Sequence, residues 1–241
     1  MSPMNSSSPT EPMFSAIAQR YDRSNHLFSL GIDRLWRRRL ARELAMTSEQ
    51  AALDVCCGTG DMAFALLRYS PVRQIVGVDC SERMIQLAQE KRMQAMSRRP
   101  MADKTARFAV ADATALPYAD ATFDAVTCVF GLRNIPNRQA ALKQMHRILK
   151  PDGQVGICEF SLPTNPVLRA LYWFYLSRVM PLAGRLVVGD AAPLRYLAES
   201  IRRWDADVRL EDELQQAGFT SCRTQSLTGG IVMLTIAKKI A

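Results

Sequence analysis

The stretch ALDVCCGTGDMAFALL, residues 52–67, decides how the rest of the chain is read. Ala51 to Val55 is a short apolar run of buried-strand type, and apolar residues from about Gly60 to Tyr69 recur at helical spacing. A tight turn therefore joins a strand to a helix. Its core, Gly58-Thr59-Gly60-Asp61-Met62-Ala63, fits the G-x-G-x-x-G/A pattern of nucleotide-binding loops. Carboxylates flank the glycines, Asp54 before them and Asp61 after.

Working outward, strand and helix patterns alternate. Strands are expected at Ile75–Asp79, Ala106–Val110, Phe123–Phe130 and Gln154–Phe160, with helices at Glu82–Met96 (Ser81 as N-cap) and Arg138–Leu149. The chain then changes character. A helix from Val208 to Ala217, closed by Gly218, leads to two successive strands near Thr220–Ser226 and Ile231–Lys238. Alternation implies right-handed crossovers and a doubly wound, mostly parallel seven-stranded α/β sheet of Rossmann-like form; the closing hairpin implies an antiparallel last strand. Residues 162–207, rich in Leu, Tyr, Trp and Phe, are expected to form a helical cap, and residues 13–45 to form N-terminal helices. MSPMNSSSPTEP reads as a disordered tail, leaving 13–241 as a single domain.

Helix N-termini favour anions, and a dinucleotide site uses that field for its pyrophosphate. Asp61 at the helix start and Asp54 nearby oppose a phosphate there. S-adenosylmethionine fits better, because it has no phosphate and carries a sulfonium and an ammonium. Gly58, Thr59 and Gly60 would let it approach the backbone. Asp79, ending the second strand, is placed for ribose hydroxyls. Asp112-Ala113, after the third strand, is placed for adenine, unless Asp112 only caps the turn before Thr114.

The net charge of +8 fits an anionic partner, either a membrane surface or nucleic acid. Arg34, Arg37, Arg38, Arg39 and Arg42 crowd one N-terminal helix, as a solvated face or a surface for lipid headgroups. None of the six cysteines forms a C-x-x-C pair and the only histidines are His26 and His146, so zinc-ligand spacing is missing and a reducing, cytoplasmic setting fits. The longest apolar stretch, Val167–Val188, is interrupted by Arg169, Arg178, Pro181 and Arg185, so no membrane span is expected.

Several segments together resemble the class I methyltransferases, and most closely the ubiquinone/menaquinone biosynthesis C-methyltransferase family. They are FSAIAQRYDRSNHLFSLGIDRLW (14–36), DVCCGTGD (54–61), FGLRNIPN (130–137), RILKPDG with EFS (147–161) and GDAAPLRYLAESI (189–201). Many methyltransferases share the glycine loop; FGLRN and the YD..N....S.G segment are more telling. The family usually has Met where Ser24 stands, His at Asp33, Gly at Asp152 and Tyr at Leu194.

The resemblance implies methyl transfer from S-adenosylmethionine to a ring carbon of a polyprenyl quinol, demethylmenaquinol or a methoxy-polyprenyl-benzoquinol. The ring carbon becomes nucleophilic when a neighbouring hydroxyl loses its proton. Arg133 is then expected to stabilise the phenolate, the alternative being a structural salt bridge. Asn134 is expected to hold a quinol oxygen or the cofactor, and Tyr21 and His26 are expected on the substrate side. Asp190, Tyr196, His26 or an ordered water would take the proton, Asp190 having the alternative role of a helix cap before Ala191. Tyr172, Trp173, Phe174 and Tyr175 either line a channel for the isoprenoid tail or pack as ordinary helix. Arg169 and Arg178 fall on opposite sides of a regular helix and would interrupt a lipid-facing stripe.

Rival classes fit less well. An amino-group nucleic-acid methyltransferase would carry N/D-P-P-Y/F after the fourth strand, where Arg133-Asn134-Ile135-Pro136 stands, and no nucleic-acid module is visible. A dinucleotide-dependent oxidoreductase is opposed by Asp61. No carboxylate cluster suited to metal-dependent O-methylation can be assembled.

Overall fold

The structure, a computed structural model, describes residue 29 and residues 31–98, 103–187 and 191–240. Tyr21, Ser24, His26, Asp190, the expected tail and the first N-terminal helix lie outside the described residues.

The strands are β1 (Ala51–Val55), β2 (Gln74–Asp79), β3 (Thr105–Val110), β4 (Phe123–Val129), β5 (Leu149–Phe160), β6 (Thr220–Leu227) and β7 (Val232–Lys238). They form one seven-stranded sheet in the order β3-β2-β1-β4-β5-β7-β6. β1 to β5 pair in parallel, and β7 alone is reversed, antiparallel to both β5 and β6. From the β3 edge the chain returns to lay β4 beside β1. Strand order reverses there, and the carboxyl ends of β1 and β4 flank the crevice in which such sheets bind ligands.

Helices cover both faces because the central strands bury both sets of side chains. On one face α1 (Asp33–Glu43), α2 (Asp61–Tyr69) and α3 (Glu82–Arg98) supply Trp36, Leu40, Leu44, Met62, Leu66 and Ile85 to the core. On the other, α4 (Arg138–Ile148) and α8 (Leu210–Gln216) supply Ala141, Leu142, Met145 and Leu214. The cap consists of α5 (Pro166–Phe174), a π turn (Tyr175–Val179), α6 (Met180–Val187) and α7 (Ala192–Asp207). It has a small core of its own, built from Leu162, Leu176, Met180, Leu194, Ala198 and Ile201.

Local chemistry sets the element ends. Ser81 Oγ accepts from Met84 N at 3.3 Å and starts α3, and Asn137 Oδ1 accepts from Ala140 N at 3.0 Å and starts α4. β5 begins at Leu149 rather than at Gln154, because Leu149 pairs with Phe123 and a bulge takes up Pro151–Gly153. Within it Asp152 has φ +61°. That is the backbone region for which glycine is the usual choice, and a short polar side chain is among the few that tolerate it.

Leu40 is fully buried, and on β5 a Cβ added to Gly156 would come within 2.7 Å of its Cδ1. Glycine at 156 thus lets α1 seat directly on the sheet. Replacing Leu40 with Ala should cost about 2–5 kcal/mol of unfolding free energy in a urea titration. A loss under about 1 kcal/mol would mean that α1 is not anchored there.

Candidate active site

Gly60 has φ +88° and a Cβ on it would meet the Phe108 ring at 2.8 Å, so both the turn and the packing against β3 require glycine. Gly58 has φ +53° with open space where a Cβ would stand. The loop is held from three sides. Cys57 N donates to Val78 O at 2.9 Å and Gly58 N to Asp79 Oδ2 at 2.9 Å. From α3, Lys91 Nζ donates to Thr59 Oγ1 at 2.7 Å and to Asp61 Oδ1 at 2.8 Å.

The two flanking carboxylates therefore differ. Asp61 is paired with Lys91 and lies 4.0 Å from Arg37 Nη2, so its charge is answered by protein cations. Asp54 is buried. Its Oδ1 accepts from Thr127 Oγ1 at 2.8 Å, while Oδ2 has no hydrogen-bond partner among the described residues. Burial raises its pKa to about 7, against the opposing pull of the Thr127 hydroxyl, the Arg37 charge and the Ala63 N–H.

Asp79 sits at the carboxyl end of β2, with Oδ1 accepting from Ser81 N at 2.9 Å. Asp112 Oδ1 accepts from both Thr114 N and Thr114 Oγ1 at 2.8 Å, which is the turn-capping role. Ala113 beside it is buried. Loop, Asp79 and Asp112 follow β1, β2 and β3, so all three line one edge of the sheet.

Arg37 is a correction. Its place among the arginines of α1 suggested an outward cation, but it is buried. It is paired with Asp33, and its guanidinium lies 5.4 Å from the Phe130 ring centroid. Asp33 stands where the resembling family usually has His, and it also accepts from Ser29 Oγ at 2.7 Å.

The segment after β4 is pressed onto the glycine loop. Phe130 has φ +60°, and a Cβ on Gly131 would overlap the Cβ of Cys56. Phe130 stacks on Phe160, with centroids 4.3 Å apart, and meets Trp36 edge-on. Arg133, whose side chain is 4% exposed, donates from Nη1 to Glu159 Oε1 at 2.7 Å and to Phe130 O at 2.6 Å. The structural salt bridge that stood as the alternative for Arg133 is present. Asn134 Oδ1 accepts from Tyr196 Oη at 2.9 Å. Arg133, Asn134 and Tyr196 border one cleft of about 430 Å³, with Arg203 and Trp204 on its cap side. Burial raises the Tyr196 phenol above its usual range.

Of the expected residues, Asp54, Gly58, Thr59, Gly60, Asp79, Asp112 and Ala113 lie along the β1–β3 edge, and Arg133, Asn134 and Tyr196 come together beyond β4. Sequence reasoning passed over Lys91, Arg37, Glu159 and Phe160. A signal existed only for Glu159, an acid closing a central parallel strand at the carboxyl edge where ligands bind.

Comparison with known proteins agrees with this layout. The family model described as the ubiE/COQ5 methyltransferase family matches residues 3–239. A ubiquinone/menaquinone biosynthesis C-methyltransferase of Syntrophotalea carbinolica is 41% identical over 93% of this chain and 92% of its own. A demethylmenaquinone methyltransferase of Staphylococcus aureus is 35% identical over 94% of this chain and 91% of its own. Among solved structures, a SAM-dependent methyltransferase of Thermotoga maritima superposes with a TM-score of 0.63 at 18% identity, covering 95% of this chain and 99% of that one. At that identity the likeness speaks for the fold alone.

Glu159→Ala leaves the Arg133 charge buried and should cost about 3–5 kcal/mol in a denaturant titration, whereas Arg133→Met with Glu159→Met should cost much less. Additive losses would show that the two side chains are not coupled.

Proposed function

The chain belongs to the ubiE/COQ5 methyltransferase family, and we propose that it methylates a ring carbon of a polyprenyl quinol, demethylmenaquinol first, using S-adenosylmethionine. The observation that carries the cofactor reading is Asp54. A buried carboxylate answered within the protein only by the Thr127 hydroxyl, the Ala63 N–H and the Arg37 charge, beneath a loop open at Gly58, suits a cationic ligand that brings its own N–H groups. The acceptor reading rests on the family and on the relatives named above.

When bound, S-adenosylmethionine supplies an electrophilic methyl group on a sulfonium. Ionised Asp54 would face the cationic end. Gly58 and Gly60 would admit the chain against bare backbone, Asp79 would accept from the ribose hydroxyls, and Asp112 with Ala113 would border the adenine. On the acceptor side Tyr196 and Asn134 would hold a quinol oxygen and orient the ring for in-line transfer. Arg133 would act chiefly by position: it ties Phe130 O to Glu159, and so sets the Gly131–Asn134 segment between cofactor and acceptor. Asp190 and His26 remain the proposed proton acceptors, Tyr21 a further substrate contact, and Tyr196 a donor. A polyprenyl acceptor resides in a bilayer, so peripheral contact with a membrane surface belongs to the same proposal. Among the described residues no helix is long and apolar enough to cross a membrane.

The direct test supplies methyl-labelled S-adenosylmethionine and demethylmenaquinol and looks by mass spectrometry for a methyl group on the ring carbon. Label in no quinol, with cofactor binding intact, would remove the acceptor assignment. Asp79→Ala should weaken cofactor binding at least about tenfold by calorimetry; unchanged affinity would take Asp79 off the ribose.

Asp54 adds a pH dependence. Its pKa without ligand is raised to about 7, and a cation favours the ionised form. Below that value binding must expel a proton, so affinity should rise with pH by up to about tenfold per unit and level off above about pH 7. Asp54→Asn should flatten that profile, and a wild-type profile already flat from about pH 5.5 to 8 would mean that Asp54 does not meet the cation.

A further inference from the structure

The outer face of the cap has no assigned role, yet it is unusually apolar. On α5, Val167, Leu171 and Phe174 repeat at i, i+4, i+7 and are 68%, 63% and 60% exposed. The helix buries none of its residues. Val179, which ends the π turn, and Leu182 on α6 are exposed as well.

In a regular helix Leu182, three turns after Leu171, would already share the face of the first three, whereas Val179 would fall to one side of it. The π turn holds one residue more than an α turn, which turns Val179 toward that face and keeps Leu182 near it. Its cause is local. Pro181 has no N–H to donate and its ring would strike the carbonyl four residues earlier, so the backbone widens before it. Ser177 Oγ meanwhile donates to Trp173 O at 2.7 Å. Leu176 and Met180 point the other way, into the cap's own core. The five exposed residues thus form one continuous stripe that packs on none of the three buried clusters.

The arginines fit this geometry. Arg169, expected to interrupt a lipid-facing stripe, is turned away from it and held by Asp205 Oδ2 at 2.8 Å. Arg178 and Arg185 are exposed along one border. The β6–β7 hairpin links α5 to α1. A Cβ on Gly229 would meet Leu168 Cδ2 at 2.7 Å, and Trp36 Nε1 donates to Thr228 Oγ1 at 2.8 Å. Next to Trp36, Leu35 is exposed beside a cleft of about 410 Å³ bordered by Arg38, Arg39, Arg42, Arg223 and Glu43. The acid pairs with Arg39 and Arg223 and leaves the cleft basic on balance.

We propose that the stripe Val167–Leu171–Phe174–Val179–Leu182, flanked by Arg178, Arg185 and the basic edge of α1 and β6, seats this protein on an anionic lipid bilayer. An apolar strip that enters the acyl boundary, with arginines at headgroup level beside it, is the pattern of an interfacial helix. A second copy of the chain is a poorer occupant, because two stripes face to face would bring arginine borders together in a chain of net charge +8. The proposal rests on the quinol reading only for its purpose, delivery of a bilayer-bound acceptor; the face itself is argued from its side chains.

Flotation with phosphatidylcholine vesicles containing about 30% phosphatidylglycerol, and with phosphatidylcholine alone, tests it. The wild-type chain should float with the anionic vesicles and much less with the neutral ones. Leu171→Glu with Phe174→Glu should lower partitioning at least about tenfold, and Arg178→Gln with Arg185→Gln should lower it on the order of tenfold on anionic vesicles only. No flotation of the wild type, or flotation unchanged by Leu171→Glu with Phe174→Glu, overturns the proposal. So does a wild-type dimer that this variant converts to monomer in sedimentation velocity, since the stripe would then belong to a second copy. Methylation of a water-soluble short-chain quinol separates the two readings. Turnover without vesicle binding defeats the docking face and leaves the chemistry standing; vesicle binding that is lost in the variant, without turnover of any quinol, supports the face and removes the acceptor.

Discussion

The carboxyl edge of the sheet depends on one close approach, in which the backbone of Gly131 lies where a side chain would run into Cys56. Because nothing separates the loop after β1 from the segment after β4, the side chains that follow the two strands share one short front. Phe130, just before the contact, takes a left-handed backbone and turns its ring onto Phe160. Arg133, just after it, closes back on Phe130 O and Glu159. Such a junction tolerates little change, because a buried ion pair without one partner and a glycine given a side chain are both among the costliest single lesions.

Charge is handled there by local pairing. Asp33 has Arg37, Asp61 has Lys91 and Glu159 has Arg133. Asp54 has no ion-pair partner among the described residues, and its raised pKa records the cost of its burial. Asp61, which read in the sequence like a second such acid, instead ties the loop to α3 and α1.

What was legible in the sequence were features carried by neighbours in the chain. Alternating strands and helices, the Ser81 cap, the acid ending β2 and the reversed last strand all follow from short-range pattern, and each is present, with β5 starting five residues earlier than its pattern indicates. Lys91 reads as an ordinary position on an amphipathic helix, and only the packing of α3 reveals that it reaches Thr59 across the fold. Arg37 reads as one arginine among five on the same helix; burial against Phe130 is a tertiary fact. The phase of the cap stripe was misread for a similar reason. Pro181 was visible, but helical arithmetic assumes regular turns and a π turn changes the count.

The position of β7 between β5 and β6 has a consequence for how the chain is made. β5 is the wall on which Glu159 and Phe160 are mounted, and its outer edge pairs only with β7, which is synthesised after the whole cap and after β6. A nascent chain can assemble β1 to β5 and yet leave an apolar strand with unpaired backbone along one side. Until β7 arrives, the half-built sheet is open to pairing with another copy of itself. Temporary cover for that edge, rather than the later chemistry, is the point at which synthesis of this protein is most exposed to failure.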